Sequence, residues 1–410
     1  MRLGSRIAQM KTPTSWPRTV NAQRGADLDL HGIVGMRLLG ASPADVAVAC
    51  RETGAVERVL DRAPNLVIRF YERLPFSGIA WTEPGRGVTE DGWLVLRHKG
   101  TTTAIDLAGI GHGCCEVHCQ QGAASLHVLS DVVSLIALQQ DCAAVHGAAF
   151  VLDGTGVLIA GLAHSGKTGI LLAFAERGAQ YLGDECIFLR GNGQTMYGTA
   201  RDFEVRSWHL DNLPRLCSLL PPKLRALWQG MRYLERLTQE PDHGTRAKAS
   251  HLVRKPLPIL RRRLRARIPA VAVFGSRVGN PVGRPDKVVL SLSQPGPSIT
   301  VERADRMQVA LQIQTASCWT RGDLWKAYQA GRLSFLKVQD YFLERAAQIH
   351  REILCRAIRN CDTWVLRHPY PFLFSDLYAA MEPVLGTGQV SQSLPKSVPA
   401  EIAVTQRVEV

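Results

Sequence analysis

The segment from Val157 to Thr168, VLIAGLAHSGKT, constrains this chain more than any other. An apolar run of strand character leads into Gly161, and Gly166, Lys167 and Thr168 complete the pattern G-x-x-x-x-G-K-[ST] before a helical stretch, TGILLAFAERG. Glycines at the two ends of such a loop let successive backbone N–H groups turn inward around phosphate oxygens. The following helix directs its positive end at the same place. Gly161, Leu162, Ala163, His164, Ser165, Gly166, Lys167 and Thr168 are therefore the expected nucleotide-binding residues. Lys167 would supply a cation for the terminal phosphates, and the Thr168 hydroxyl a ligand for Mg²⁺.

The flanks extend the pattern. Upstream, AAFVLDGTGVLIAG reads as two strands around an Asp-Gly turn, with His146 at its entrance. Downstream, the run AQYLGDECIFLR reads as a buried strand carrying Asp184 and Glu185. One of these carboxylates can hold Mg²⁺, and the other can accept a proton from an incoming hydroxyl.

His146, the hairpin, the loop, the ERG helix end and YLGDE together resemble the catalytic core of the HPr serine kinase/phosphorylase family. The wider HPr-kinase-like group is related in fold to ATP-dependent phosphoenolpyruvate carboxykinase. The dense matching covers about 40 residues, and the chain looks like a divergent member rather than the HPr enzyme itself, because Glu185 stands where that family has a second Asp. The resemblance implies a mixed α/β fold, an HPr-kinase-like P-loop core behind a mainly β N-terminal lobe. It implies ATP and Mg²⁺ as cofactors, Asp184 as catalytic base, Lys167 on the phosphates, and Thr168 and Glu185 on the metal. His146 would lie near the transferred phosphoryl group. The expected activity is transfer of the γ-phosphoryl group to a hydroxyl, most simply a serine of a small protein or ribosomal peptide. A small hydroxylated metabolite as acceptor and a nucleotide-binding regulatory protein without turnover are the competing readings.

Along the 410 residues, 1–26 is expected to be a disordered basic leader, and its arginines and lysine also resemble an organelle transit peptide. Residues 27–140 are expected to form the β lobe and a linking helix, the latter from the apolar stripe Leu126, Val128, Leu129, Val132, Val133, Leu135, Ile136 and Leu138. The core is expected over 141–385, with a basic insertion at 213–267, strand character in PAVAVFGSR, a strand pair from GNGQTMYG and RDFEVRSW, and a disordered tail at 386–410.

A hydrophobic content of 46% suffices for large cores, and no window reaches 18 consecutive apolar residues, so a cytoplasmic protein without a membrane span is expected. The formal charge of +13 suits anionic partners. Nucleic acid is not the expected one, since the basic run 243–267 carries no aromatic residues for stacking. That run would serve as a lid over phosphate charge, as a dock for an acidic peptide, or as a plain solvated loop; self-association is open. The ten cysteines do not show the spacing of a disulfide framework. His112, Cys114, Cys115, His118 and Cys119 invite a zinc site, but the second knuckle is missing and the segment alternates like a strand, so packing competes with metal. A Ser/His/Asp hydrolase has no nucleophile elbow to support it.

Overall fold

The structure, a computed structural model, describes residues 25–74, 78–98, 100–126, 128–199, 201–239, 260–261, 264–320, 322–334 and 340–385. It is a mixed α/β protein with several sheets. The leader up to residue 24, the tail from 386 and most of the basic run, namely 243–259, 262 and 263, lie outside the described residues. The end of the expected leader is corrected: Gly25 and Ala26 belong to a strand, paired with Leu39 and Leu38.

Residues up to 120 form a nine-stranded sheet from β1 (Gly25–Leu30), β2 (Val34–Leu39), β3 (Val56–Glu57), β4 (Leu66–Tyr71), β5 (Ala80–Glu83), β6 (Arg86–Val88), β7 (Trp93–His98), β8 (Thr101–Asp106) and β9 (Cys115–Gln120). Their spatial order is β3-β1-β2-β4-β9-β8-β7-β6-β5. Helix α1 (Pro43–Thr53) interrupts this lobe, started by a Ser42–Asp45 capping box with Pro43 in its first turn and stopped by Gly54 in the left-handed conformation. The expected linking helix is α2 (Val128–Gln139), whose apolar stripe is buried.

Strands β10 (Cys142–Val145), β14 (Ile187–Arg190), β15 (Met196–Gly198) and β18 (Val282–Gly283) make a four-stranded sheet. The sheet that carries the loop has the order β13-β11-β12-β19-β21-β20. Its members are β11 (Gly147–Leu152), β12 (Thr155–Ala160), β13 (Gln180–Gly183), β19 (Lys287–Ser293), β20 (Thr300–Arg303) and β21 (Asp362–His368). β11 and β12 form the expected hairpin, turning through Asp153 and Gly154, both at positive φ as a two-residue type I′ turn requires. Helix α3 (Lys167–Glu176) follows the loop, and a two-stranded ribbon joins β16 (Phe203–Arg206) to β17 (Arg265–Ile268).

Helices α4 (Ser207–Asn212) and α5 (Pro222–Gln239) come next, then α6 (Ala270–Phe274), α7 (Arg306–Thr320), α8 (Gly322–Ser334), α9 (Tyr341–Ala357) and α10 (Phe374–Leu385). The chain returns late to its beginning: α8 packs on β5, β6 and β7, and α9 packs on α2 and α7. One hydrophobic core accordingly runs from Leu28 to Cys361, while a second surrounds α3 and the ribbon.

Three expectations about elements are corrected. AQYLGDECIFLR is two strands in different sheets, because Glu185 adopts a left-handed φ of 67° and the Cys186 N–H bonds the Asp184 carbonyl, turning the chain between β13 and β14. GNGQTMYG and RDFEVRSW do not pair with each other: β15 joins β14 and β18, and β16 joins β17. PAVAVF is helical. One turn after Pro269 puts Ala270, Val273 and Phe274 into the same core, which the alternation of a strand would not do.

Candidate active site

The loop lies between β12 and α3, held from behind. Gly161 approaches β19 so closely that a Cβ there would come within 2.5 Å of the Ser291 carbonyl. Gly166 takes φ 83°, and a Cβ would meet the rings of Phe372 and His368 at 2.8 and 2.9 Å. The Ser291 hydroxyl donates to the Ser165 carbonyl, and His368 Nε2 lies 3.0 Å from the same oxygen. Buried side chains from β19 and β21 thus fix the loop backbone, and no local pattern in the sequence announced them.

Lys167 is 6% exposed, and its ammonium donates to the carbonyls of Gly161 at 3.1 Å and Leu162 at 2.6 Å. Burial lowers it from 10.5 to about 8, against the pull of Asp184 and Glu185. Thr168, on the first turn of α3, donates its hydroxyl to Asp184 Oδ2 at 2.8 Å. Asp184, at the end of β13, is fully enclosed, and burial raises it from 3.8 to about 6 in spite of that bond.

Glu185 goes elsewhere. Its left-handed backbone turns the carboxylate outward to Arg201 Nη1 at 3.3 Å, with half of the side chain exposed. Thr168 and Asp184 are therefore brought together, whereas Thr168 and Glu185, expected to share a metal, are not in described contact. Arg201 was not foreseen. Its other terminal nitrogen donates to the Glu52 carbonyl at the end of α1, which ties the acidic pair to the N-terminal lobe. His31 Nε2 adds a second tie to the Gly198 carbonyl at 2.6 Å.

His146 lies beside this pair. Its Nδ1–H donates to the Glu185 carbonyl at 2.9 Å, and since a carbonyl only accepts, Nε2 is left with its lone pair. Burial, reinforced by the Lys167 charge, lowers His146 from 6.5 to about 4, so the ring is neutral near pH 7. His164, within the loop at φ 65°, accepts from Arg206 Nη2 at 3.0 Å. Leu162 is exposed, and Ser165 is buried behind the loop.

The oxygens of Thr168, Asp184 and Glu185 are hard donors of the kind Mg²⁺ takes, usually one or two protein ligands with phosphate and water completing the octahedron. No group of three or more His, Cys, Asp or Glu able to hold a metal occurs among the described residues. For the candidate zinc segment, Cys115 and Cys119 lie on β9 and are packed in the core, His118 between them is also buried, and Cys114, just before the strand, is exposed.

Of the basic run, Arg261 is spent on Glu235 and Asp211. No helix among the described residues is long and apolar enough to cross a membrane. No protein-family model matches the chain, and no curated protein matches it.

Proposed function

We propose that this protein is an ATP- and Mg²⁺-dependent phosphotransferase built on an HPr-kinase-like P-loop core, moving the γ-phosphoryl group to a hydroxyl of a small protein or ribosomal peptide. The observation that carries the reading is the Thr168–Asp184 hydrogen bond, which puts a buried carboxylate of raised basicity beside the last residue of a G-x-x-x-x-G-K-T loop.

In the reaction, the acceptor oxygen bonds to the γ-phosphorus, the bond from that phosphorus to the β-phosphate oxygen breaks with its electron pair on ADP, and the hydroxyl proton passes to Asp184. Asp184 suits the last role better than His146 does, being ionised at neutral pH yet more basic, at about 6 against about 4. Lys167 exchanges the Gly161 and Leu162 carbonyls for phosphate oxygens. Mg²⁺ would neutralise phosphate charge, held by Thr168 and by Glu185 once the latter leaves Arg201. His146, neutral and held by its Nδ1–H on the Glu185 carbonyl, would line the approach of the acceptor without taking its proton.

Labelled ATP with a panel of serine peptides and hydroxylated metabolites tests this. Asp184→Asn should retain ATP binding and lose transfer by about 10²- to 10⁴-fold. Normal transfer by this variant would refute the assignment of the base, and ATP binding without transfer to any acceptor would favour a regulatory protein.

A further inference from the structure

The β16–β17 ribbon alternates as a half-buried ribbon should. Phe203, Val205, Ala266 and Ile268 go into the second core, while Glu204, Arg206, Arg265 and Arg267 occupy the opposite face. Arg206 and Arg265 are direct cross-strand partners, and Glu204 stands opposite Arg267. Three guanidinium groups thus share a face with one carboxylate. Glu204 serves Arg206 at 3.0 Å and Arg265 at 3.7 Å.

This face is turned to the phosphate loop. Arg206 Nη2 reaches His164 Nδ1 at 3.0 Å, and partial burial first, then the charges of Arg206, Arg265 and Lys167, hold the His164 ring below its ordinary pKa. Cations gathered beside an already cationic loop repel one another, and they are tolerable at such density where an anion joins them. The imidazole of His164 occupies the position of an acceptor for Arg206, which a phosphate oxygen fills better because it is charged.

We propose that Arg206, supported by Arg265, is the subsite for the terminal phosphate of a nucleoside triphosphate, exchanging His164 for a γ-phosphate oxygen on binding. The inference rests on the nucleotide reading above and goes beyond it by assigning the triphosphate-over-diphosphate preference to residues outside the loop. A guanidinium so placed contacts the only part of ATP that ADP lacks.

The test is equilibrium titration of the full chain with Mg-ADP and with the non-hydrolysable triphosphate Mg-AMP-PNP. Wild-type protein should favour the triphosphate. Arg206→Gln should lose about tenfold or more in AMP-PNP affinity while ADP affinity stays within about twofold, the unchanged ADP binding showing that the site is folded. Glu204→Gln removes the competing carboxylate and should shift AMP-PNP affinity upward, a sign that a merely structural contact would not produce. Equal loss for both nucleotides in Arg206→Gln, or no loss for either, overturns the subsite and leaves the nucleotide reading standing. Wild-type protein that binds neither nucleotide overturns both.

Discussion

Thr168 Oγ1 and Asp184 Oδ2 are joined by a 2.8 Å hydrogen bond that spans the helix and strand between them and couples the start of α3 to the end of β13. Asp184 is fully enclosed and Thr168 is its described hydroxyl donor, so pH and mutation at this pair report on the site directly.

Stability should respond to Asp184 with a definite sign. Its carboxyl is raised from 3.8 to about 6, so below the lower value both folded and unfolded chains are protonated there, while above the upper value the folded chain bears a buried charge. The stabilisation by the retained proton is complete at low pH and is lost as pH rises through about 6. Asp184→Asn cannot ionise and keeps a side-chain oxygen for Thr168. Its stability relative to wild type should rise by about 3 kcal/mol between about pH 4 and about pH 8, in paired urea denaturation curves.

Phosphoryl transfer should show a bell-shaped kcat/KM profile. The rising limb belongs to Asp184 near about 6, and the falling limb to loss of the Lys167 ammonium near about 8. Lys167→Arg should remove the alkaline limb while retaining the acid one. A profile unchanged by that variant would break the link to Lys167.

Gly166→Ala should be costly. The new Cβ would sit at φ 83° and 2.8 Å from the Phe372 ring. Strain and overpacking together predict a loss of about 2–4 kcal/mol in stability. Thermal unfolding with and without Mg-ATP checks it, and the nucleotide-dependent rise in Tm should shrink in the variant.

Arg201→Met separates structural from catalytic duty at the lobe contact. The variant gives up the bonds to the Glu52 carbonyl and to Glu185, with an expected cost of about 1–3 kcal/mol by chemical denaturation. Glu185→Gln, at a half-exposed carboxylate, should change stability by less than about 1 kcal/mol. The reverse ranking would show that Arg201 does not carry the contact.

The backbone elements around the candidate site were legible in the residues. The Asp153-Gly154 turn, the loop glycines and the helix after Lys167 are local features whose backbone demands are written in residue type, and each stands where expected. α1 carried a readable Ser42–Asp45 capping box with Gly54 as a stop, a signal overlooked within a β-rich stretch. The element errors came where local propensity was overridden. PAVAVF has the composition of a strand, and Glu185 is not a residue that advertises a left-handed turn.

By itself the sequence determined the order hairpin, loop, helix and acidic pair, because turn geometry, helix starts and apolar periodicity act over a few residues. The tertiary structure alone decided that Asp184 rather than Glu185 meets Thr168, that Ser291 and His368 brace the loop from behind, and that Arg206 reaches His164. Those contacts join residues from 16 to more than 200 positions apart. They depend on how sheets stack and on which way one left-handed residue turns the chain, quantities that no short window of sequence encodes.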